Sequence, residues 1–402
     1  MADEGFRRLP DDVLVQILVL LPTSSRRRFR LVCKQWRDMI NERTPERQVG
    51  TNVLAFITQQ GSCSRALVFD NKDGLRRRHA WMYPCSHGRS KIDLVGTRNG
   101  LLCLHEIVMA SGNGGSFFSA ITVTNPITGE TLALPPAPRS WEWEQMRSPG
   151  KYSFGYHPTT GRYKVVHIPC GRRQAVDALQ VFTLGDDTAW REVPVATRPG
   201  ATYNLACEPI SVDGRTYWLD AFSLRVMALD LEDERVASFA APPAAWRPGP
   251  IPADAGWKLT NVHGRLGVVV AAETARVEVW VLDGGGALPQ WSRRHDIAVE
   301  VAAAATFGCC IAAPQLTHGG CILRASRDPM RDWSAYRGWG RRRLHWHKVG
   351  SLTGGGGQLR AVKEREVVMR EEESDGDLKT FAYVETVEPV PSNHGCASAR
   401  RL

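Results

Sequence analysis

A turn glycine leading straight into an apolar run recurs along this chain, and that recurrence restricts the possible folds more than any other feature. It is read in "RNGLLCLHE" (98–106), "SVDGRTYWLD" (211–220), "NVHGRLGVVVA" (261–271) and "THGGCILRA" (317–325). A second phrase, strand then polar turn then strand ending near proline, recurs as "TVTNPITGETLALPP" (122–136), "SFGYHPTTGRYKVVHIP" (153–169), "VFTLGDDTAWREVP" (181–194) and "VMALDLEDERVASFAAPP" (226–243). Short apolar alternations divided by Gly, Asn, Asp and Pro mark strands joined by hairpins. Taking Gly100, Gly155, Gly214, Gly264 and Gly319, the steps are 55, 59, 50 and 55 residues. A period near 50 with about four short strands per unit is that of kelch-type propeller blades. One four-stranded sheet cannot bury both of its faces, whereas a ring of sheets sets each face against a neighbour. Dividing residues 51–390 by this period predicts an all-β propeller of about six blades, within a range of six to eight. Residues 391–402 read as a disordered tail.

The first fifty residues have a different texture. In "LPDDVLVQILVLLP" (Leu9 to Pro22), Val13, Leu14, Ile17, Leu18 and Leu21 recur at helical spacing. Pro10 suits a first helical turn, Asp11 and Asp12 favour the positive end of the helix dipole, and Pro22 ends the run. Thr23, Ser24 and Ser25 offer cap oxygens for a second helix reaching to about Asn41. On that helix Phe29, Val32, Cys33, Trp36, Met39 and Ile40 share a stripe about 120° wide, while Arg27, Arg30, Lys34 and Arg37 project from the neighbouring face. Two helices this short cannot bury all these side chains against each other. Each buried Leu, Ile or Phe is worth about 1.5–3 kcal/mol, so the stripes pack either on the following domain or on another protein.

The ordered combination Leu9-Pro10, Val13/Leu14/Ile17/Leu18, Leu21-Pro22, Phe29-Arg30, Val32-Cys33-Lys34 and Trp36-Arg37 resembles an F-box, the motif that docks on the Skp-type adaptor of cullin–RING ubiquitin ligases. The phrases "NGLLCL", "VTNPITGETLALPP", "FGYHPTTGRYKVV", "VDGRTYWLD", "VEVWVLD" and "FAYVETVEPV" resemble, in that order, the F-box-associated domain of plant F-box proteins. The resemblance implies a small all-α F-box over 1–50 and a β-propeller over 51–390. It also implies that Leu9, Pro10, Leu14, Ile17, Leu18, Leu21, Pro22, Val32, Cys33 and Trp36 contact the adaptor or support the surface that does. The function implied is that of a non-catalytic substrate receptor, whose propeller holds a target protein for ubiquitination. Arg26 and Arg27 stand where the family usually carries aliphatics. A propeller scaffold with weak adaptor docking is therefore the rival reading.

The formal charge of +9 invites nucleic acid as a partner, but its distribution argues against one. Nine Lys/Arg against two Asp/Glu fall between Arg324 and Arg360, a local excess of +7, and the rest of the chain is nearly balanced. The stretch 326–359 interrupts the repeat with Arg, Trp and four consecutive glycines. It reads either as a long surface insertion or as a docking surface carried by Trp333, Trp339, Arg341, Arg342 and Arg343, residue types that anchor protein interfaces. Trp141 and Trp143, in "SWEWEQMRS", are a second candidate for target contact.

Bond chemistry has no visible carrier. The chain lacks HExxH, GxSxG, a Walker loop and a strand-flanked GxGxxG, and "SGNGGS" (111–116) reads as a hairpin loop. His345 and His347 have no third ligand nearby, and the ten cysteines form no CxxC pair, so neither a metal nor a cofactor is expected. The start is polar, without an apolar leader, and no run approaches the roughly 18 apolar residues of a membrane span. Cytoplasm or nucleus is the expected setting.

Overall fold

The computed structural model describes residues 10–20, 29, 36, 52–59, 61–70, 76–109, 117–137, 150–169, 177–195, 207–220, 225–243, 257–262, 264–273, 276–283, 289–299, 321–327, 342–349, 359–368 and 377–392. The helical part begins with α1 (Asp11–Leu20), in which Pro10 caps the first turn by accepting from Val13 N at 2.9 Å and Leu14 N at 3.1 Å. Phe29 and Trp36 are both helical, as the predicted second helix requires.

The strands group into five sheets. Chain order gives β1 (Asn52–Thr58), β2 (Cys63–Phe69) and β3 (Arg77–Pro84); then β4 (Ser90–Arg98), β5 (Leu101–Met109), β6 (Phe117–Thr124) and β7 (Thr131–Ala133). The third set is β8 (Lys151–His157), β9 (Arg162–Ile168), β10 (Ala178–Thr183) and β11 (Arg191–Pro194), and the fourth is β12 (Ile210–Val212), β13 (Arg215–Leu219), β14 (Arg225–Asp230) and β15 (Val236–Ala240). Then come β16 (Trp257–Val262), β17 (Arg265–Glu273), β18 (Arg276–Asp283) and β19 (Gln290–Val299), followed by β20 (Cys321–Arg327), β21 (Arg342–Val349), β22 (Leu359–Val368) and β23 (Asp377–Tyr383). Strands β4–β7, β8–β11 and β12–β15 each form an antiparallel four-stranded blade in sequence order. The first blade is completed from the far end of the chain, with order β23-β1-β2-β3. Register pairs Asn52 with Tyr383 and Thr58 with Asp377. The first strands of successive blades lie side by side, β23 with β4, β4 with β8, β8 with β12 and β12 with β16, which makes them the inner ring of a propeller.

The apolar cores lie between blades, as the burial argument demands. Tyr163 and Val165 of β9 pack with Leu101, Cys103 and Val123 of the second blade, while Val166 and Ile168 of the same strand pack with Trp218, Met227 and Leu229 of the fourth. Alternation along β14 continues the pattern, since Met227 and Leu229 face the third blade and Val226 and Ala228 face β16 and β17. Each strand thus serves two interfaces through its two faces. Tryptophans at the outer strands tie neighbours together. Trp190 Nε1 donates to the Pro135 carbonyl at 2.7 Å, and Trp291 Nε1 donates to the Ala240 carbonyl at 2.8 Å.

The blade count is five, where the repeat length predicts about six. Residues counted toward a sixth blade supply β20–β22, which join the fifth sheet as β16-β17-β18-β19-β22-β21-β20 through a parallel pairing of β19 with β22. Gly155 lies inside β8, and the turn glycine equivalent to Gly100 and Gly214 is Gly161, with φ 71° between β8 and β9, which leaves the mean period unchanged. The atypical stretch 326–359 therefore contains a strand, β21, paired antiparallel with both β20 and β22.

Antiparallel order fixes which connections share an end of the propeller. The turns between first and second and between third and fourth strands lie at one end; they are short, as at Asn99-Gly100, Asp213-Gly214 and 125–130. The opposite end carries the blade-to-blade connections 134–150, 195–209 and 241–256, together with 110–116 and 169–177. This second end is called the loop end below. Beyond β23 the chain continues along the hairpin end as a strap, Val384–Pro391. Gly100 admits it, because a Cβ there would lie 2.4 Å from Thr386 Cγ2 and 2.6 Å from the Val384 carbonyl.

Candidate functional site: a helical face and the loop end of the propeller

The spacing of apolar residues on α1 separates into two functions. Leu18 is fully buried, with Leu14, Val15, Phe29 and Trp36 packed around it. The Phe29 and Trp36 rings meet at 5.1 Å between centroids, tilted by 49°. Val13 and Ile17, four residues apart and hence on one face, are 39% and 43% exposed. The predicted adaptor residues are thus of two kinds. Leu14, Leu18 and Trp36 form the interior that holds the two helical segments together, while Ile17 and the exposed Pro10 present an apolar face, joined by Val13, which is not among the predicted adaptor residues. Leu9, Leu21, Pro22, Val32, Cys33, Arg26 and Arg27 lie outside the described residues.

Of the predicted target-binding residues, Trp141 and Trp143 fall in the connection 134–150, which leaves from the loop end, and both lie outside the described residues. So do Trp333, Trp339 and Arg341. Arg342 and Arg343 are the first two residues of β21, paired with Arg327 and Ser326.

The loop end also holds a cluster that sequence reasoning missed. Lys379 of β23 reaches Asp93 of β4 at 2.7 Å and Glu208, just ahead of β12, at 3.6 Å. Glu208 in turn accepts from Lys151, the first residue of β8, at 2.6 Å. Four blades therefore meet through four side chains at the axis. The Glu208 side chain is 53% exposed. Partial loss of its water shell alone would raise its carboxyl; Lys379 and Lys151 outweigh it and hold the pKa at about 2. Enclosure likewise works against the charge on Lys379, yet Glu208 and Asp93 raise its pKa well above the ordinary lysine range. Lys91 and Lys258 start the neighbouring inner strands. His105 feels Lys91 together with Lys379 and Lys151, and Cys207 feels Lys258 together with Lys151. At the far end of β4, Arg98 donates to the Ser211 carbonyl of the fourth blade. No sequence signal marks this cluster, because its members come from positions 91 to 379 and meet only when the ring closes.

Among the described residues no group of three or more His, Cys, Asp or Glu is placed to hold a metal ion, and no helix is long and apolar enough to cross a membrane.

Residues 53–326 match the family described as "F-box associated beta propeller domain", and residues 6–44 match "F-box-like". The chain is similar to F-box protein At3g07870 of Arabidopsis thaliana, 24% identical over 73% of each chain. It is also similar to F-box protein At1g52495 of the same plant, 25% identical over 68% of this chain and 65% of that one. The WD40 domain of SCAP from fission yeast aligns over 85% of this chain and 90% of its own length at 10% identity, with a TM-score of 0.32.

Proposed function

The chain belongs to the F-box-associated β-propeller family, and on that basis we propose that it is the substrate receptor of a Skp–cullin–F-box ubiquitin ligase. The F-box would dock on the Skp-type adaptor and the propeller would hold a target protein near the charged conjugating enzyme. Its contribution to the reaction is proximity: tethering raises the effective concentration of target lysines at the site of transfer, and the receptor itself makes and breaks no bonds.

The observation that carries this reading is the division of labour on α1. A helix that only packed on its own domain would bury its apolar residues; here Leu14 and Leu18 are used internally, while Val13 and Ile17 stay exposed beside them. An apolar helix face of this kind is what a partner's groove covers. The end of the propeller from which the blade-to-blade connections leave is the one assigned to target contact. The same reading places the protein in the cytoplasm or nucleus, where adaptor and cullin act.

Co-purification of the adaptor and cullin with the tagged full chain tests the assignment. A target is then a protein that co-purifies with the chain and accumulates when it is deleted. Absence of the adaptor from the purified complex would remove the ligase reading and leave a propeller scaffold.

A further inference from the structure

We propose that β3, the outer strand of the first blade, pairs edge to edge with β3 of a second copy of this chain, so that one antiparallel sheet runs across a twofold dimer.

The outer strand of a blade carries a row of backbone groups that its own sheet does not pair. In four of the five blades that edge is short or joined by a further strand. β7, β11 and β15 have three, four and five residues, and β19 is joined by β22. β3 has eight residues and ends its sheet, with no strand beyond it among the described residues. Its side chains alternate. Trp81 and Tyr83 are half-buried against the core shared with the second blade, whereas Arg78, Ala80, Met82 and Pro84 are exposed. Met82 is 69% exposed, high for a large apolar residue.

Backbone direction follows from one bond. Cys85 N donates to the Ser62 carbonyl at 3.1 Å, so this N–H points into the sheet. Alternation gives Tyr83 and Trp81 the same direction and aims the N–H and C=O of Ala80 and Met82 at the open edge. Pro84 shares that outward direction, the one place where a strand tolerates a residue without an N–H. The register with β2 shifts at Arg78, so the regular edge runs from His79 to Pro84.

The residues of β3 select the occupant. Arg76, Arg77 and Arg78 stand at one end and the apolar residues at the other. A parallel copy in register would set arginine against arginine, which is destabilising. About a twofold axis at Ala80, Arg78 instead lies opposite Met82 of the second copy, and Arg77 opposite its Tyr83. Ala80 meets Ala80 on the axis, so the smallest side chain of the strand stands where the two copies meet themselves. The arginine stems then lie along apolar neighbours. Within its own chain Arg78 has Glu385 at 3.7 Å and Asp70 at 3.9 Å, so the pairing asks for no acid from the second copy.

Sedimentation velocity of the full chain over about 1–100 μM tests this, because a strand edge this short makes a small, concentration-dependent interface. The mass is expected to rise from that of one chain toward that of two, and amides of peptide 77–84 to gain protection from hydrogen exchange as it does. Ala80→Pro removes an outward N–H without breaking a bond to β2, and Met82→Lys sets a like charge against Arg78. Each is expected to weaken association at least about tenfold. Met82→Lys alone decides if Ala80→Pro shifts the thermal unfolding curve. Val387→Lys, at a strap residue 78% exposed, is expected to associate as the wild type does. A monomer throughout the range would overturn the proposal, as would association that survives in Met82→Lys or is lost in Val387→Lys. Protection of 77–84 only when a co-purifying protein is added, in a chain that stays monomeric, would give the edge to a foreign strand and overturn it too.

Discussion

The side-chain amide of Asn125 donates to the Glu388 carbonyl at 2.7 Å, joining the second blade to a strap 263 residues further along the chain. The same amide nitrogen reaches the Thr386 carbonyl at 3.1 Å, while its oxygen accepts from Ile127 N at 2.9 Å and Thr128 N at 3.3 Å. Asn125 is fully buried, and the strap is held further by Val390 N donating to Glu130 at 3.0 Å. The asparagine of "TNPIT" is therefore a clamp that fastens the end of the chain to the ring.

Removing that clamp leaves two strap carbonyls and two turn N–H groups without their buried partner. Asn125→Ala is expected to lower stability by about 2–4 kcal/mol, measured by urea unfolding. Asn125→Asp preserves the two accepted bonds but turns a carboxylate on the strap carbonyls, so it rescues little. Full stability in either variant would show that the strap is held by packing alone.

Glu234 tests stored backbone strain. It adopts φ 58° in the β14–β15 turn, where the corresponding β6–β7 turn uses Gly129 at φ 75°. Its N–H bonds to Asp230 O as Gly129 N bonds to Asn125 O, confirming the equivalence. The side chain is what the strained position retains: it accepts from Lys164 at 2.6 Å and from Arg191 at 2.6 and 2.8 Å, bridging the third and fourth blades. Lys164 is only 5% exposed. Glu234→Gly relieves the backbone but leaves that ammonium buried and unpaired, and breaking such a pair costs about 3–5 kcal/mol. Adding Lys164→Met should recover most of the loss. A double variant no more stable than Glu234→Gly would contradict this.

Acid should weaken the ring at His105. Its Nε2 lies 2.7 Å from Ser119 Oγ, and its ring meets Tyr152 edge-on at 4.6 Å. Burial, aided by His167 and the nearby lysines, lowers its pKa from 6.5 to about 3. The unfolded chain therefore binds a proton that the native state refuses, and stability falls as pH drops from 6.5 toward 3. By about pH 4.5 the loss is about 2–3 kcal/mol. Glu208, depressed to about 2 from 4.5, contributes stability above 4.5 that is lost below it, so the higher window separates His105 from Glu208. Urea midpoints at neutral pH and at about pH 4.5 should differ less in His105→Gln than in the wild type. An unchanged difference would refute the assignment.

What could be read from the sequence was local. Helical spacing exposed the α1 stripe, and turn phrases located the hairpins: "RNGLLCLHE", "SVDGRTYWLD" and "NVHGRLGVVVA" each straddle the turn between a blade's first and second strands. "TNPITGE", "LGDDTAW" and "LEDER" mark the turn between third and fourth strands. Periodicity on α1 could not say which of Leu14, Ile17 and Leu18 faces inward, because that depends on where Phe29 and Trp36 land. The count of blades failed because strand phrases do not reveal whether a new strand starts a sheet or extends one, as β22 does beside β19. The Lys379, Asp93, Glu208 and Lys151 cluster and the Asn125 clamp were invisible for the same reason. Each joins residues tens to hundreds of positions apart, and only closure of β23 onto β1 brings them together.

In the proposed complex Val13 and Ile17 face an adaptor while Leu18 and Trp36 support them. The most direct measurement is capture of a purified Skp-type adaptor by the immobilised full chain, wild type beside Ile17→Asp. Because Ile17 is exposed, the substitution should leave the thermal unfolding curve in place. Leu18→Ala with Trp36→Ala should lose capture by loosening the helical unit itself, and so shows only that the fold is needed. Adaptor capture by the wild type is expected, with a loss of at least about tenfold in affinity for Ile17→Asp, as a charge placed in an apolar interface costs. Capture by Ile17→Asp equal to that of the wild type, or none by the wild type, would contradict it.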